Sequence, residues 1–229
     1  RRQRQMCIRD SIWVAGITNA VNLIDGLDGL AGGMSVIVLV VIGSIAIIER
    51  RSDLLSIAFI LASGTLGFLI YNAHPASIFM GDCGSLFLGF MISAISLLGF
   101  KSSTILTLAL PILLLMLPII DTLSAILRRT LKGMKFMEAD KSHIHHLLMR
   151  QFGHRNTVII MCGLTSLFGL SAFAYMINRN IGFIVMIIIL LSVELFIEKS
   201  AMISEKFHPL IGLWHRIQRK YKKILRKVG

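Results

Sequence analysis

The stretch that decides the fold is Ala31-Gly-Gly-Met-Ser-Val-Ile-Val-Leu-Val-Val-Ile-Gly-Ser-Ile-Ala-Ile-Ile48, in which no charged residue occurs. As a helix it is about 27 Å long, close to the roughly 30 Å of a bilayer's hydrocarbon core. Hydrocarbon gives backbone N–H and C=O groups no partner outside their own segment, and the alternation of a barrel wall is absent, so the stretch reads as a transmembrane helix. Working outward, five more runs read the same way: residues 54–71, 84–100, 102–127, 157–177 and 181–197. Pro111 and Pro118 are expected to kink the longest of them. Residues 11–24 are apolar but short and carry Thr18, Asn19 and Asn22. They read as a marginal span, the end of a helix whose earlier part is missing or altered. The expected fold is all-α, a polytopic integral membrane helical bundle of about six to seven transmembrane helices. Residues 1–30 form a partial N-terminal helix and a first acidic motif, 31–198 the bundle with its loops, and 199–229 a basic amphipathic tail.

Composition excludes the simpler explanations of the charge. The 229 residues carry 24 Lys+Arg against 12 Asp+Glu, a net +12, yet are 55% hydrophobic and only 16% charged. A disordered basic tail would be poor in large aliphatic residues, and a soluble domain has about 25% charged residues. Cys7, Cys83 and Cys162 are too far apart to frame a disulfide scaffold or a zinc site. The chain starts at Arg1 with no cleavable signal pattern. Residues 128–156 hold seven Lys or Arg and residues 199–229 hold nine, while the alternate loops hold only Arg50, Arg51, Lys101 and Arg179. Basic loops stay in the cytoplasm, and spans alternate, so the segments around Asp25 and Asp82 are expected on that face too. Arg1, Arg2, Arg4 and Arg9 then fall on the wrong side if residues 11–24 cross. In the tail, Trp214, Ile217, Tyr221, Ile224 and Leu225 recur at helical spacing among bases, the pattern of a helix lying on an anionic leaflet and not of a nucleic-acid binder.

Four polar stretches interrupt the apolar runs. In Asn19-Ala-Val-Asn22-Leu-Ile-Asp25-Gly-Leu-Asp28-Gly, polar groups recur every three residues, and two carboxylates beside glycines suit a hard cation with phosphate ligands. Helix caps are the alternative role for the aspartates. His74-Pro-Ala-Ser-Ile-Phe79-Met-Gly-Asp82 puts a carboxylate between glycines at the mouth of a span, again as ligand or cap, with Phe79 and Met80 just outside. Asp121 lies seven residues inside the run that ends at Arg128, where an ionisable group marks a functional site or a structural pair. In Asp140-Lys-Ser-His143-Ile-His145-His146, adjacent histidines point apart on a helix and no cysteine is near, so hydrogen bonding to phosphate or proton transfer suits them better than zinc.

NAVNLIDGLDGLAGG, HPASIFMGDCGSLFLG, PIIDTLSAILRR and ADKSHIHHLL occur in an order that resembles the polyprenyl-phosphate N-acetylhexosamine-1-phosphate transferases, glycosyltransferase family 4. The HIHH form resembles the branch that uses UDP-N-acetylglucosamine more than the muramoyl-pentapeptide branch. The resemblance, from about Trp13 to Leu148, implies a Mg2+-dependent phospho-sugar transferase, with Mn2+ as the alternative ion. It implies transfer of a sugar 1-phosphate, GlcNAc-1-phosphate, from a UDP-sugar to undecaprenyl phosphate with release of UMP, initiating a cell-envelope glycan. It further implies a multi-pass protein of the bacterial cytoplasmic membrane, with active site and C-terminus cytoplasmic, in contact with lipids and forming a homodimer. Carried over by residue, Asp82 and Asp25 match the metal-binding positions; Asp25, Asp28, His143, His145 and His146 the catalytic ones; and Asn19, Asn22, Asn72, Phe79, Arg128 and Arg129 the substrate-binding ones.

The family also carries two adjacent aspartates followed by a third in an N-terminal half, and this sequence contains no Asp-Asp pair. The resemblance is therefore to an N-terminally truncated member, expected to be inactive by itself. Three other readings stand beside it: a non-catalytic remnant of the transferase, an ion- or proton-coupled transporter supported by Asp121 and Glu194, and an alcohol phosphatidyltransferase. The last is disfavoured by the spacing after Asp28, the absence of the expected Arg and the lack of a further Asp pair, and the transporter by the lack of inverted repeats.

Overall fold

A computed structural model describes residues 2–99 and 144–199, with side chains from 7 to 98 and from 148 to 193. Every described element is a helix: α1 (Arg2–Ile24), α2 (Leu30–Ile48), α3 (Ser52–Asn72), α4 (Gly81–Gly99), α5 (Ile144–Ile177) and α6 (Arg179–Lys199). The chain divides into two compact units, Arg1–Val185 and Met186–Gly229. The first contains α1 to α5 and the start of α6. The described part of the second continues α6 and exposes Ile187, Ile188 and Leu191.

Among the described residues, four helices are long and apolar enough to cross a membrane: Leu30–Ile48, Ser52–Asn72, Gly81–Leu98 and Leu148–Ile177. These contain the expected runs 31–48, 54–71 and 157–177 and most of 84–100. The run 102–127 and the basic tail lie outside the described residues. The run 181–197 falls in α6, whose apolar part, Arg179–Val193, is shorter than the four spans. The short apolar run 11–24 is the end of α1, which reaches back to Arg2 within the segment read as a partial N-terminal helix. Arg, Gln and Met are good helix formers, and an apolar run marks where hydrocarbon can lie, not where a helix starts. α5 is two helices joined at Gly153, whose φ of 76° and ψ of 172° break the hydrogen-bonded ladder.

α2 is the central element, with two thirds of its span buried, and it packs on α3, α4 and α5; α1 lies against α4. Leu30, Leu39 and Ile45 of α2, Ile92 and Ile95 of α4 and Phe168 of α5 form the fully buried core. α3 is the outer helix, only 22% buried, and it presents Phe59, Ile60, Leu66 and Ile70 outward. Water would penalise such a surface, and acyl chains do not. Hydroxyls inside the spans bond to their own helix: Ser44 Oγ donates to Val40 O, Ser63 Oγ to Phe59 O, Thr65 Oγ1 to Leu61 O and Thr165 Oγ1 to Met161 O, all within 2.9 Å.

α1 buries the stripe Ile17, Ala20, Val21 and Ile24. Trp13 Nε1 donates to Ser96 Oγ at 3.1 Å across to α4. Gly89 allows the closest approach of these two helices, since a Cβ there would lie 2.8 Å from Thr18 Cα and 3.2 Å from Val21 Cβ. Gly89→Val is expected to wedge α1 from α4 and to destabilise the protein by about 1–3 kcal/mol, the usual range for overpacking. Thermal unfolding in detergent measures the effect, and an unchanged midpoint would contradict this packing.

Candidate active site at one end of the bundle

The loop joining α1 to α2 and the loop joining α3 to α4 meet at one end of the bundle, together with the break in α5. This is the shared face that alternation of spans requires. The meeting is built on a buried amide. Asn72, the last residue of α3 and 3% exposed, accepts from Gly29 N at 3.0 Å through Oδ1 and donates from Nδ2 to Ile78 O at 2.9 Å. Gly29 itself has φ 76°, a conformation that L side chains avoid, and a Cβ there would lie 3.5 Å from Ala73 Cα. Asn72, expected to bind substrate, thus has both ends of its amide engaged in joining the two loops.

Asn22, near the end of α1, donates through Nδ2 to Asp82 Oδ1 at 3.1 Å and to Ser85 Oγ at 2.8 Å. Ser85 is fully buried and donates in turn to Gly81 O. Asp25 lies close enough to Asp82 to feel its charge, and Gly81 donates a backbone hydrogen bond to it. Burial, and then the negative charge of Asp82, push Asp25 up from the ordinary 3.8 to about 6, the Gly81 N–H opposing. No Lys or Arg pairs with either carboxylate among the described residues. Two like-charged oxygen donors with no cation beside them are the donor set that a hard divalent ion relieves, so Asp25 and Asp82 fit the expected Mg2+.

Asp28 is in the opposite electrical state. Its Oδ2 accepts from His74 Nδ1 at 2.9 Å and from Ala76 N at 3.2 Å. The hydrogen bond from His74, followed by that from Ala76 and the charges of His154 and His74, holds its carboxyl below the ordinary value against a smaller opposing effect of burial. His154, the first residue after the break in α5, stacks its ring on that of His74 at 4.1 Å between centroids and 21° between planes, with Nε2 3.3 Å from Asp28 O. Ligand atoms of Asp28, His74 and His154 lie within 4.8 Å of one another.

The other expected site residues separate. Asn19 donates to Ala15 O at 2.7 Å on its own helix and lines a shallow outer groove with Phe90, away from Asp25 and Asp82. Phe79 is 75% exposed at the rim among the described residues. His145 and His146 fall in the first turn of α5, but their side chains, with His143, Asp121, Arg128 and Arg129, lie outside the described residues. Sequence reasoning assigned no role to His74, His154 or Arg155; the one available signal was a Gly-His-Arg sequence just before an apolar run.

Residues 7–100 match the model of glycosyl transferase family 4. The chain is 43% identical over 213 residues to a probable undecaprenyl-phosphate N-acetylglucosaminyl 1-phosphate transferase of Bacillus subtilis, covering 91% of this chain and 59% of that protein. It is 36% identical over 156 residues to a phospho-N-acetylmuramoyl-pentapeptide-transferase of Listeria welshimeri (66% of this chain, 46% of that one). It is 38% identical over 167 residues to a decaprenyl-phosphate N-acetylglucosaminephosphotransferase of Mycolicibacterium smegmatis (63% and 41%). The chain belongs to glycosyl transferase family 4. It spans less than two thirds of the length of each of these relatives.

Two measurements check the geometry. Without divalent cation, carboxyl 13C NMR or infrared difference titration is expected to find Asp25 titrating near pH 6, and Asp82→Asn to move it part of the way down, since burial remains. With its folded value raised above the unfolded one, Asp25 contributes stability that is full below about pH 4 and is lost as pH rises through 6. Asn72→Ala leaves the buried Gly29 N–H unpaired, while the Ile78 C=O, in a half-exposed residue, can turn to water; the change is expected to cost about 1–3 kcal/mol, read as a lowered melting temperature.

Proposed function

We propose that this protein takes part in transferring a sugar 1-phosphate from a UDP-sugar to a polyprenyl phosphate, with release of UMP, at the cytoplasmic face of a bacterial membrane. The observation that carries the reading is the convergence of Asp25 and Asp28 from the α1–α2 loop and of Asp82 from the first turn of α4 onto one end of a bundle of apolar helices. The names of the Bacillus and Mycolicibacterium relatives favour N-acetylglucosamine as the sugar.

Both substrates are anions, so the reaction needs positioning and charge neutralisation above all. Asp25 and Asp82 would hold a Mg2+ ion, which when bound offsets the negative charge of the diphosphate. Asn22 fixes the orientation of Asp82 through the 3.1 Å hydrogen bond, and the buried Ser85 fixes Asn22. Phe79 offers an exposed ring on which uracil can stack. An oxygen of the carrier phosphate forms a bond to the phosphorus that bears the sugar. The bond from that phosphorus to the bridging oxygen breaks, and UMP leaves with the bond's electron pair. Arg128, Arg129 and the histidines 143, 145 and 146 would supply positive charge and hydrogen bonds to the same phosphates.

The test is Mg2+-dependent release of UMP from a UDP-sugar and polyprenyl phosphate by the protein in lipid nanodiscs, beside equilibrium binding of the nucleotide sugar. Asp82→Asn is expected to lower Mg2+-dependent nucleotide binding at least tenfold and to abolish any transfer, whereas Asn19→Ala leaves both nearly unchanged. Absence of Mg2+-dependent nucleotide binding would defeat the proposal.

A further inference from the structure

Three segments far apart in the sequence bring a mixed cluster of side chains together beside the carboxylate pair. Asp28 comes from the loop between α1 and α2, His74 from the loop between α3 and α4, and His154 from just after the break at Gly153 in α5. One ligand atom of each lies within 4.8 Å of the other two. The chemistry differs from that of Asp25 and Asp82. Paired carboxylates supply only oxygen, which suits Mg2+, whereas one carboxylate and two imidazoles supply the nitrogen-rich set that suits Zn2+ and its neighbours in the first transition row. His74 Nδ1 stands 2.9 Å from Asp28 Oδ2, the spacing of a hydrogen bond. A tetrahedral zinc ion bonded to the same two atoms, at its usual distance of about 2.1 Å, would set them about 3.4 Å apart, so it can take the place of the hydrogen after a shift of about 0.5 Å. His154 Nε2 lies 3.3 Å from Asp28 O, longer than the usual hydrogen bond of about 2.9–3.0 Å, and is released at little cost. His74 is exposed and His154 half-buried, so both rings can turn, trading their stack for two metal bonds.

We propose that Asp28, His74 and His154 form a binding site for a borderline divalent ion, Zn2+, separate from the Mg2+ pair. A brace between two loops needs only Asp28 and His74; the third nitrogen, brought in from 126 residues away, is what completes a ligand set. Three protein ligands leave one position of a tetrahedron open, the arrangement of zinc sites that keep a water or another small ligand. Room for it exists, because Asp28 and His74 both line a recess of about 580 Å³. Cys162 lines the same recess but stands eight residues, about 12 Å, along α5 from His154, too far to bind the same ion. Arg155 lines it as well and has no carboxylate partner among the described residues, so its charge opposes a bare cation and favours a small anion such as chloride in the open position. The bound ion ties both loops to α5 and stabilises the folded chain. It engages Asp28 and leaves Asp25 and Asp82 to Mg2+, so the two ions bind together and not in competition.

The test uses the full chain, free of any affinity tag, in phosphatidylcholine nanodiscs. Calorimetry follows titration with Zn2+ in excess Mg2+, and zinc-edge X-ray absorption identifies the neighbours of the bound ion. One Zn2+ per chain with two imidazole neighbours is expected, together with a raised melting temperature. The competing location is the other histidines, His143, His145, His146, His208 and His215. His74→Ala and His154→Phe are each expected to weaken Zn2+ binding at least about tenfold, since loss of even an outer-shell partner of a ligand typically costs about 10–100-fold. His154→Phe keeps a ring for the stack, and its unchanged melting temperature without Zn2+ is expected to show that it folds. The double variant His145→Ala with His146→Ala is expected to bind Zn2+ as the parent does. Asp82→Asn is expected to keep Zn2+ while losing Mg2+-dependent nucleotide binding, and His154→Phe to do the reverse. No saturable Zn2+ binding, undiminished affinity in His74→Ala and His154→Phe, loss of the ion in the double variant, or its displacement by Mg2+ would each overturn the inference. The proposed sugar-phosphate transfer does not depend on this ion, and its own test stands whichever result is found.

Discussion

Hydrocarbon supplies no hydrogen-bond partner, and the arrangement of this protein follows from that constraint. Within the spans, hydroxyl groups turn back onto carbonyls of their own helices, as Ser44, Ser63 and Thr165 do. Groups that need partners from elsewhere in the chain are concentrated where the helices end. Asn22 and Asn72 stand in the last turn of a helix, Asp25 and Asp28 beyond one and Asp82 in a first turn, where loops provide N–H groups and water can enter. The same constraint that makes the spans simple makes one end of the bundle chemically dense.

At that end, three carboxylates of one short region have two different environments. Asp28 is hydrogen-bonded to an imidazole and a backbone N–H, so its negative charge is already answered within the protein. Asp25 and Asp82 stand together without a basic partner among the described residues, and burial, with the charge of Asp82 second, makes the Asp25 carboxyl hold its proton up to about pH 6. The division separates a place that wants a cation from a place whose neighbours, His74, His154 and Arg155, present donors. A reaction between two phosphate compounds calls for both kinds of place within a few ångströms of each other.

Much of this was legible before any coordinates. Uncharged runs such as 31–48 identify themselves by length, and alternation then requires the segments around Asp25 and Asp82 to share a face. The pairing of Asn22 with Asp82 follows that logic, although its partner Ser85 does not announce itself. Asn72 shows where such reasoning stops, because an amide at a helix end reads equally as a ligand for substrate and as a brace between loops, and only its two hydrogen bonds and near-complete burial decide for the brace. His154 was invisible for a different reason. It lies 126 residues from Asp28, and no periodicity connects a histidine after a helix break with an aspartate in a distant loop.

The contact of α1 with α4 has a mechanical meaning. Trp13 is hydrogen-bonded to Ser96, and Asn22 to Asp82 and Ser85, so two pins hold the pair about two and a half turns apart. A single pin would let one helix swivel or slide against the other; two at different heights fix both rotation and elevation. The helices move as one bar. When a thicker or thinner bilayer forces the bundle to tilt, the bar tilts whole, and the height of Asn22 opposite Asp82 is conserved.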